Sequence, residues 1–193
     1  MVIGDSGAVD GRWESLFADA DAQFEALRRE EMSAEAADRS RREFALIGLV
    51  DRLRGALGAP VEVSVESERI TGTVCGVGPD WILLDGPAGR SVLIPLTAVV
   101  AVSGLPGRTS APGTTGAVEA RLDLRYALRR LARDRAPIRV LLRGGRSAFG
   151  TFDRVGRDFV EFAEHVPGDA RRVGAVRAVR SIPLDALLAV HAR

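Results

Sequence analysis

Two histidines, one cysteine, a recurring pair of turn aspartates and a large set of arginines are the residues of this 193-residue chain with chemical potential. The histidines, His165 and His191, have no cysteine or second histidine at ligand spacing and no evident nucleophile partner, so neither a zinc site nor an acyl-transfer triad is spelled. Asp80 and Asp158 each follow a glycine by two residues, where an aspartate ordinarily caps backbone and does no acid–base work. Gly76-Val77-Gly78 lacks both the spacing and the following helix of a phosphate cradle. Cys75 lies inside a Val-rich run, has no second cysteine to pair with, and reads as a small buried hydrophobe. The chain contains no Lys and no Asn, which excludes Schiff-base lysines, a phosphate-loop lysine and Asn-dependent base recognition. These readings predict a non-enzymatic chain with no cofactor and no bound metal.

All 27 basic residues are therefore Arg. Lys and Asn have AT-rich codons, so the composition points to a high-GC genome, as in actinobacteria. Charge is placed unevenly. Residues 1–58 carry 8 Arg against 12 acids, residues 59–105 carry 2 against 5, and residues 106–193 carry 17 against 9, giving −4, −3 and +8. The basic third contains Arg129, Arg130 and Arg133 in an expected helix, Arg143 and Arg146 around Gly144-Gly145, and Arg171, Arg172, Arg177 and Arg180 further on. Clustered guanidinium groups can hold phosphates bidentately, which makes RNA or DNA a candidate partner. The bland alternative is a solvated face, or pairing with the acidic front within the chain or in a dimer.

The strongest organising signal is an internal repeat. Gly72-Thr-Val-Cys-Gly-Val-Gly-Pro-Asp-Trp-Ile-Leu-Leu84 aligns with Gly150-Thr-Phe-Asp-Arg-Val-Gly-Arg-Asp-Phe-Val-Glu-Phe162 at an offset of 78. Leu93–Val102 aligns with Ser181–Val190 at 88, and Pro60–Val63 with Pro137–Val140 at 77, so the second copy carries a ten-residue insertion between its blocks. Alternation such as Val61, Val63, Val65 fits half-buried strands, and Gly76, Gly78 and Pro79 supply a turn. Each copy reads as five strands, in the first Val61–Val65, Ile70–Val77, Trp81–Asp85, Ser91–Pro95 and Ala98–Val102. So small a sheet is expected to curl into a barrel, with Gly72 and Gly150 at the bend of its long strand. Trp81 and Phe159 are expected to fill the two cores.

Helices frame the copies. Leu46–Leu57 leads into the first and Val118–Ala132 into the second, after the Gly, Pro, Ser and Thr-rich segment Ser103–Gly116. Before them, Asp10 can cap a helix on which Trp13, Leu16, Phe17, Ala20, Phe24 and Leu27 recur at helical spacing. A second start near Glu30–Ser33 or one continuous helix both fit. Trp13, Phe17 and Phe24 form a candidate partner surface, with packing on the rest of the chain as the plainer reading. The N-terminus lacks a signal-peptide pattern and no apolar run reaches about 18 residues, which predicts a cytoplasmic protein without a membrane segment.

A helix followed by five strands, with Gly-Thr-Val-x-x-Val-Gly-x-Asp-Trp-Ile-Leu-Leu and then Leu-Ile-Pro-Leu-Thr-Ala-Val-Val-Ala-Val, resembles the Sm-like family, which includes the bacterial Sm-like RNA chaperone. A PRC-type barrel is the nearest competing fold. The whole chain also looks like actinobacterial proteins sometimes labelled Fis-type regulators, a label the β-rich repeats do not support. The resemblance implies an RNA pocket built from an Asp and Asn turn and a basic pair, but Ile82 and Val160 stand near the Asn position, and Leu96-Thr97 and Leu184-Asp185 at the pair. It also implies assembly by pairing of the fourth strand of one module with the fifth of the next.

The expected fold is thus α+β, mainly β: an N-terminal helical arm (1–58), a first five-stranded Sm-like barrel (59–105), a flexible linker (106–117), and a helix with a second such barrel (118–193). The expected function is a non-enzymatic interaction or scaffold protein that self-associates or binds another protein. An Arg-mediated RNA- or DNA-binding regulator is the alternative.

Overall fold

A computed structural model describes residues 7–66, 68–110, 122–166 and 176–192, with the side chains of 7–22, 26 and 88 left out. The chain divides into two compact units, residues 1–46 and 47–193. The first is one helix, α1 (Gly7–Ala45). Its run of Ala, Glu and Arg carries it through Glu30–Ser33 without a break, since one serine in a helix interior costs only tenths of a kcal/mol, about 0.5. Pairs one turn apart, such as Arg42 with Asp38, lie along it. Phe24, Leu27 and Met32 are exposed. No helix among the described residues is long and apolar enough to cross a membrane.

The second unit begins with α2 (Leu49–Gly55), whose Leu53 is fully buried. Ten strands follow: β1 (Pro60–Val65), β2 (Glu68–Val77), β3 (Trp81–Gly86), β4 (Arg90–Pro95) and β5 (Ala101–Ser103), then after α3 (Leu124–Asp134) β6 (Ile138–Leu142), β7 (Arg146–Val155), β8 (Phe159–Glu164), β9 (Ala178–Pro183) and β10 (Leu187–Ala192). The strands fall close to their expected places, except that Leu96–Ala98 forms a 3-10 turn and β5 starts three residues late.

The two closed five-stranded barrels do not form. All ten strands belong to one open antiparallel sheet in the order β5-β1-β2-β3-β4-β10-β6-β7-β8-β9. The reason lies in backbone hydrogen bonding. Each fifth strand pairs with the first strand of its own copy, as β5 with β1 and β10 with β6. The outer side of β4 then pairs with β10 of the other copy, Val190 opposite Leu93 and Ala192 opposite Ser91. Pairing across the copies satisfies two edges at once, which closing either copy on itself would have to undo.

The repeat nevertheless has one backbone plan. Both long strands shift register at equivalent points, Val74/Gly76 in β2 and Phe152/Arg154 in β7, and such bulges bend a strand. Gly72 is required by its neighbour: a Cβ there would stand 2.8 Å from the Asp85 carbonyl oxygen on β3, too close to coexist. The sheet curves around two apolar clusters. Val63, Ile82, Leu84 and Ile94 centre the first; Val140, Phe152, Val160 and Phe162 centre the second, with the Phe152 and Phe162 rings edge to face at 5.9 Å.

Candidate interaction surfaces

The junction between the copies is built from apolar side chains on both sides. Leu93 of β4 belongs to the second cluster, with Trp81 and Leu83 packed against it; Leu141, Leu188 and Ala189 of the second copy belong to the first. Fully burying a leucine stabilises by roughly 1.5–3 kcal/mol, so this seam is a substantial part of the core. Trp81 therefore does not fill its own copy's core, as its sequence position suggested. It packs across the junction, and its indole Nε1 donates to the Leu122 carbonyl at 2.7 Å. Beside it the Asp80 carboxylate accepts from the Leu124 backbone N–H, also at 2.7 Å. Together they clamp the entry of α3. Burial pushes the Asp80 carboxyl above its ordinary range, and the nearby Asp123 adds to this, while the Leu124 N–H acts in the other direction.

Asp123 is the N-cap of α3 and accepts from the Tyr126 N–H at 2.9 Å. Desolvation raises its carboxyl, but that N–H and Arg125, 2.7 Å away, outweigh it and hold the group below its usual value. Leu124 and Leu128 are buried, and α3 lies on β7. Its exposed side carries Tyr126, Arg129, Arg130 and Arg133, one helical face at i, i+3, i+4 and i+7.

Among the described residues, the arginines picked out by charge do not converge on one site. Arg129, Arg130 and Arg133 do share that face. Arg143 is committed elsewhere: its Nε donates to the Asp185 carbonyl at 2.7 Å, and with the Gly144 N–H it faces Glu66 in the β1–β2 turn. Arg180 pairs with Glu164 at 2.7 Å, and the Arg177 N–H donates to the Glu164 carbonyl. Arg146 is exposed at the start of β7. Arg171 and Arg172 lie outside the described residues, as do the side chains of Trp13 and Phe17; Phe24 is exposed on α1.

The remaining titratable groups are not gathered. Among the described residues no three His, Cys, Asp or Glu side chains could share a metal ion. Cys75 is exposed, not buried: β2 alternates, so Val74 faces the core and the thiol faces outward. Partial burial and Asp85 push its pKa up to about 11, so it carries no thiolate at neutral pH. His165 is buried, its Nδ1 3.1 Å from the Val166 carbonyl. His191, on β10 at the junction, sits 3.2 Å from Arg139, and burial followed by that guanidinium lowers its pKa. An open groove of about 650 Å³ borders β5, lined by Glu62, Thr71, Thr73, Asp85 and Ser103, among others. It holds no nucleophile and base in contact.

The sheet ends in a fifth strand at one side and a fourth strand at the other. Among the described residues, β5 at one end is paired only with β1, beside Val100, which is 70% exposed. At the other end β9 is paired, among the described residues, only with β8, with Val179 60% and Phe159 37% exposed. Phe159, like Trp81, does not fill a core. No protein-family model matches the chain, and no curated protein matches it.

Proposed function

We propose that the chain is a non-enzymatic interaction scaffold whose partners add to the open edges of its ten-stranded sheet. One observation carries this reading: among the described residues, β5 and β9 each present an unpaired side bordered by exposed Val100, or by Val179 and Phe159. An open edge offers a row of N–H and C=O groups to an incoming strand, and neighbouring apolar side chains supply burial. The resemblance of the repeats to the Sm-like family supports the reading only as a binding-type scaffold lacking that family's nucleotide-contacting residues. The test is photo-crosslinking in the native host with a reactive residue at position 179 or 102. A discrete crosslinked species is expected from either position and none from exposed Arg146. Absence of any species from both edges would overturn the proposal.

A second reading rests on the α3 face, where Arg129, Arg130 and Arg133 surround exposed Tyr126. Aromatic stacking beside phosphate-binding guanidinium groups suits single-stranded RNA. Replacing all three arginines with Gln should then lower the salt slope of RNA binding by about 2, since each single-strand phosphate contact contributes roughly 0.7. No binding at low salt rules this reading out.

A further inference from the structure

The first unit holds a helix face that nothing within that unit covers. Among the described residues the unit is α1 and no second element. Both apolar clusters of the second unit are built from residues 53 onward. A lone helix in water is only marginally stable, and most helical stability comes from packing an apolar face. On α1 that face is concentrated in the first half. Trp13, Phe17, Ala20, Phe24 and Leu27 follow one another at separations of four, three, four and three residues, and Phe24 and Leu27 are exposed. Beyond Leu27 the same series meets Glu31, Ala34 and Asp38, so the apolar stripe ends there.

Period, charge and area together select its occupant. The alternation of four and three is the seam spacing of two paired helices. From Asp10 to Arg29 the helix carries five acids against three arginines, net −2, which disfavours anionic lipid headgroups and nucleic-acid phosphates alike. Aromatic side chains bury about 150–250 Å² each, so Trp13, Phe17 and Phe24 with Leu27 supply an area close to the roughly 800 Å² per partner of a stable interface.

The stripe is also complementary to itself when one copy is reversed. Pairing across the seam then sets Phe17 against Leu27 of the second copy and small Ala20 against Phe24. Glu14 and Arg28 flank it as two opposite-charge pairs, beside one like pair of Asp21 with its own copy on the two-fold axis. A parallel pair would have no such attraction and would set Glu30 beside Glu35 twice.

We infer that α1 of one molecule pairs antiparallel with α1 of a second copy through Trp13, Phe17, Ala20, Phe24 and Leu27, making the chain a dimer. The contact is isologous and closes on two molecules. It uses no residue of the sheet, so each dimer presents two sets of sheet ends, and a partner with repeated sites gains avidity.

Size-exclusion chromatography with light scattering on the full chain tests this. At about 50 µM, since dimer population follows protein concentration, the mass should be twice the 20.6 kDa of one chain. Phe24→Asp with Leu27→Asp should return it to one chain, while Met32→Asp, exposed and off the seam, should not. Glu14→Arg turns both flanking pairs into like charges and should raise the dissociation constant about ten-fold; adding Arg28→Glu should recover it. Circular dichroism checks that each variant retains its sheet. A monomer at that concentration, a dimer that withstands Phe24→Asp with Leu27→Asp, or no recovery on charge exchange would overturn the inference. Crosslinks from positions 179 and 102 of the sheet do not depend on α1, so the scaffold reading stands or fails separately.

Discussion

The inner strand β4 and the outer strand β9 are two copies of one sequence element in opposite circumstances. Both run into an Ile-Pro-Leu turn whose backbone bonds match. In β4 the outward residue Leu93 is 4% exposed because β10 and the second cluster lie against it. In β9 the same position is Ser181, and it is exposed. The inward residues Ile94 and Ile182 are buried in both. Fold therefore conserves the face turned to the core, while the face turned along the sheet has diverged according to whether it is covered. The β9 edge is blunted further by Arg180 and its partner Glu164, and β5 by its three-residue length, both recognised ways of restraining an edge from indiscriminate pairing.

The largest effect should come from the seam itself. Leu93→Ala is expected to cost about 2–4 kcal/mol of unfolding free energy in urea titrations, as for other buried leucines, while Ser181→Ala should change it by less than about 0.5. Equal costs at the two positions would break the comparison. The clamp should separate next. Asp80→Ala removes the acceptor for the Leu124 N–H and should cost about 1–2 kcal/mol, whereas Asp158→Ala should remain within about 0.5 in the monomer.

The smallest effect is a pH dependence at the junction. Burial and Arg139 depress His191, so the folded state resists a proton that the unfolded chain accepts near its ordinary value of about 6.5. The unfolded state then binds more protons across that window, and stability should fall as pH drops from about 6.5 toward the folded value. His191→Gln should flatten the thermal midpoint over that range; an unchanged slope would exclude His191 as its source. Asp123 acts with the same sign at lower pH. Its depressed folded pKa stabilises above the ordinary carboxylate value of about 3.9, and that contribution is lost on further acidification.

Much of this structure was legible residue by residue. Alternation at Val61, Val63 and Val65 placed β1, and the recurring Gly-Thr-Val and Ile-Pro-Leu blocks placed equivalent strands and turns, because strand period and turn chemistry are local properties. Trp81 and Cys75 were misplaced for a common reason. An apolar run does not say which face of a strand meets which cluster, and Trp81 faces a core supplied largely by residues of the second copy, from Leu124 to Val190. Of the arginines, charge alone could not distinguish Arg143, engaged with Glu66 and Asp185, from Arg129, Arg130 and Arg133 on the open side of α3.

What the sequence by itself determined is the repeated unit: five strands behind a helix, a glycine at 72 and 150 in the long strand, and a turn with Asp80 or Asp158. Only the tertiary structure decided that the units merge into one sheet through β4 and β10, leaving β5 and β9 as its ends. Edge strands choose partners through backbone N–H and C=O groups, which every non-proline residue carries and which leave no signature in side-chain identity. The trace that the choice did leave is the replacement of Leu93 by Ser181 and of Leu141 by Ser64, readable as inside and outside once the pairing is known.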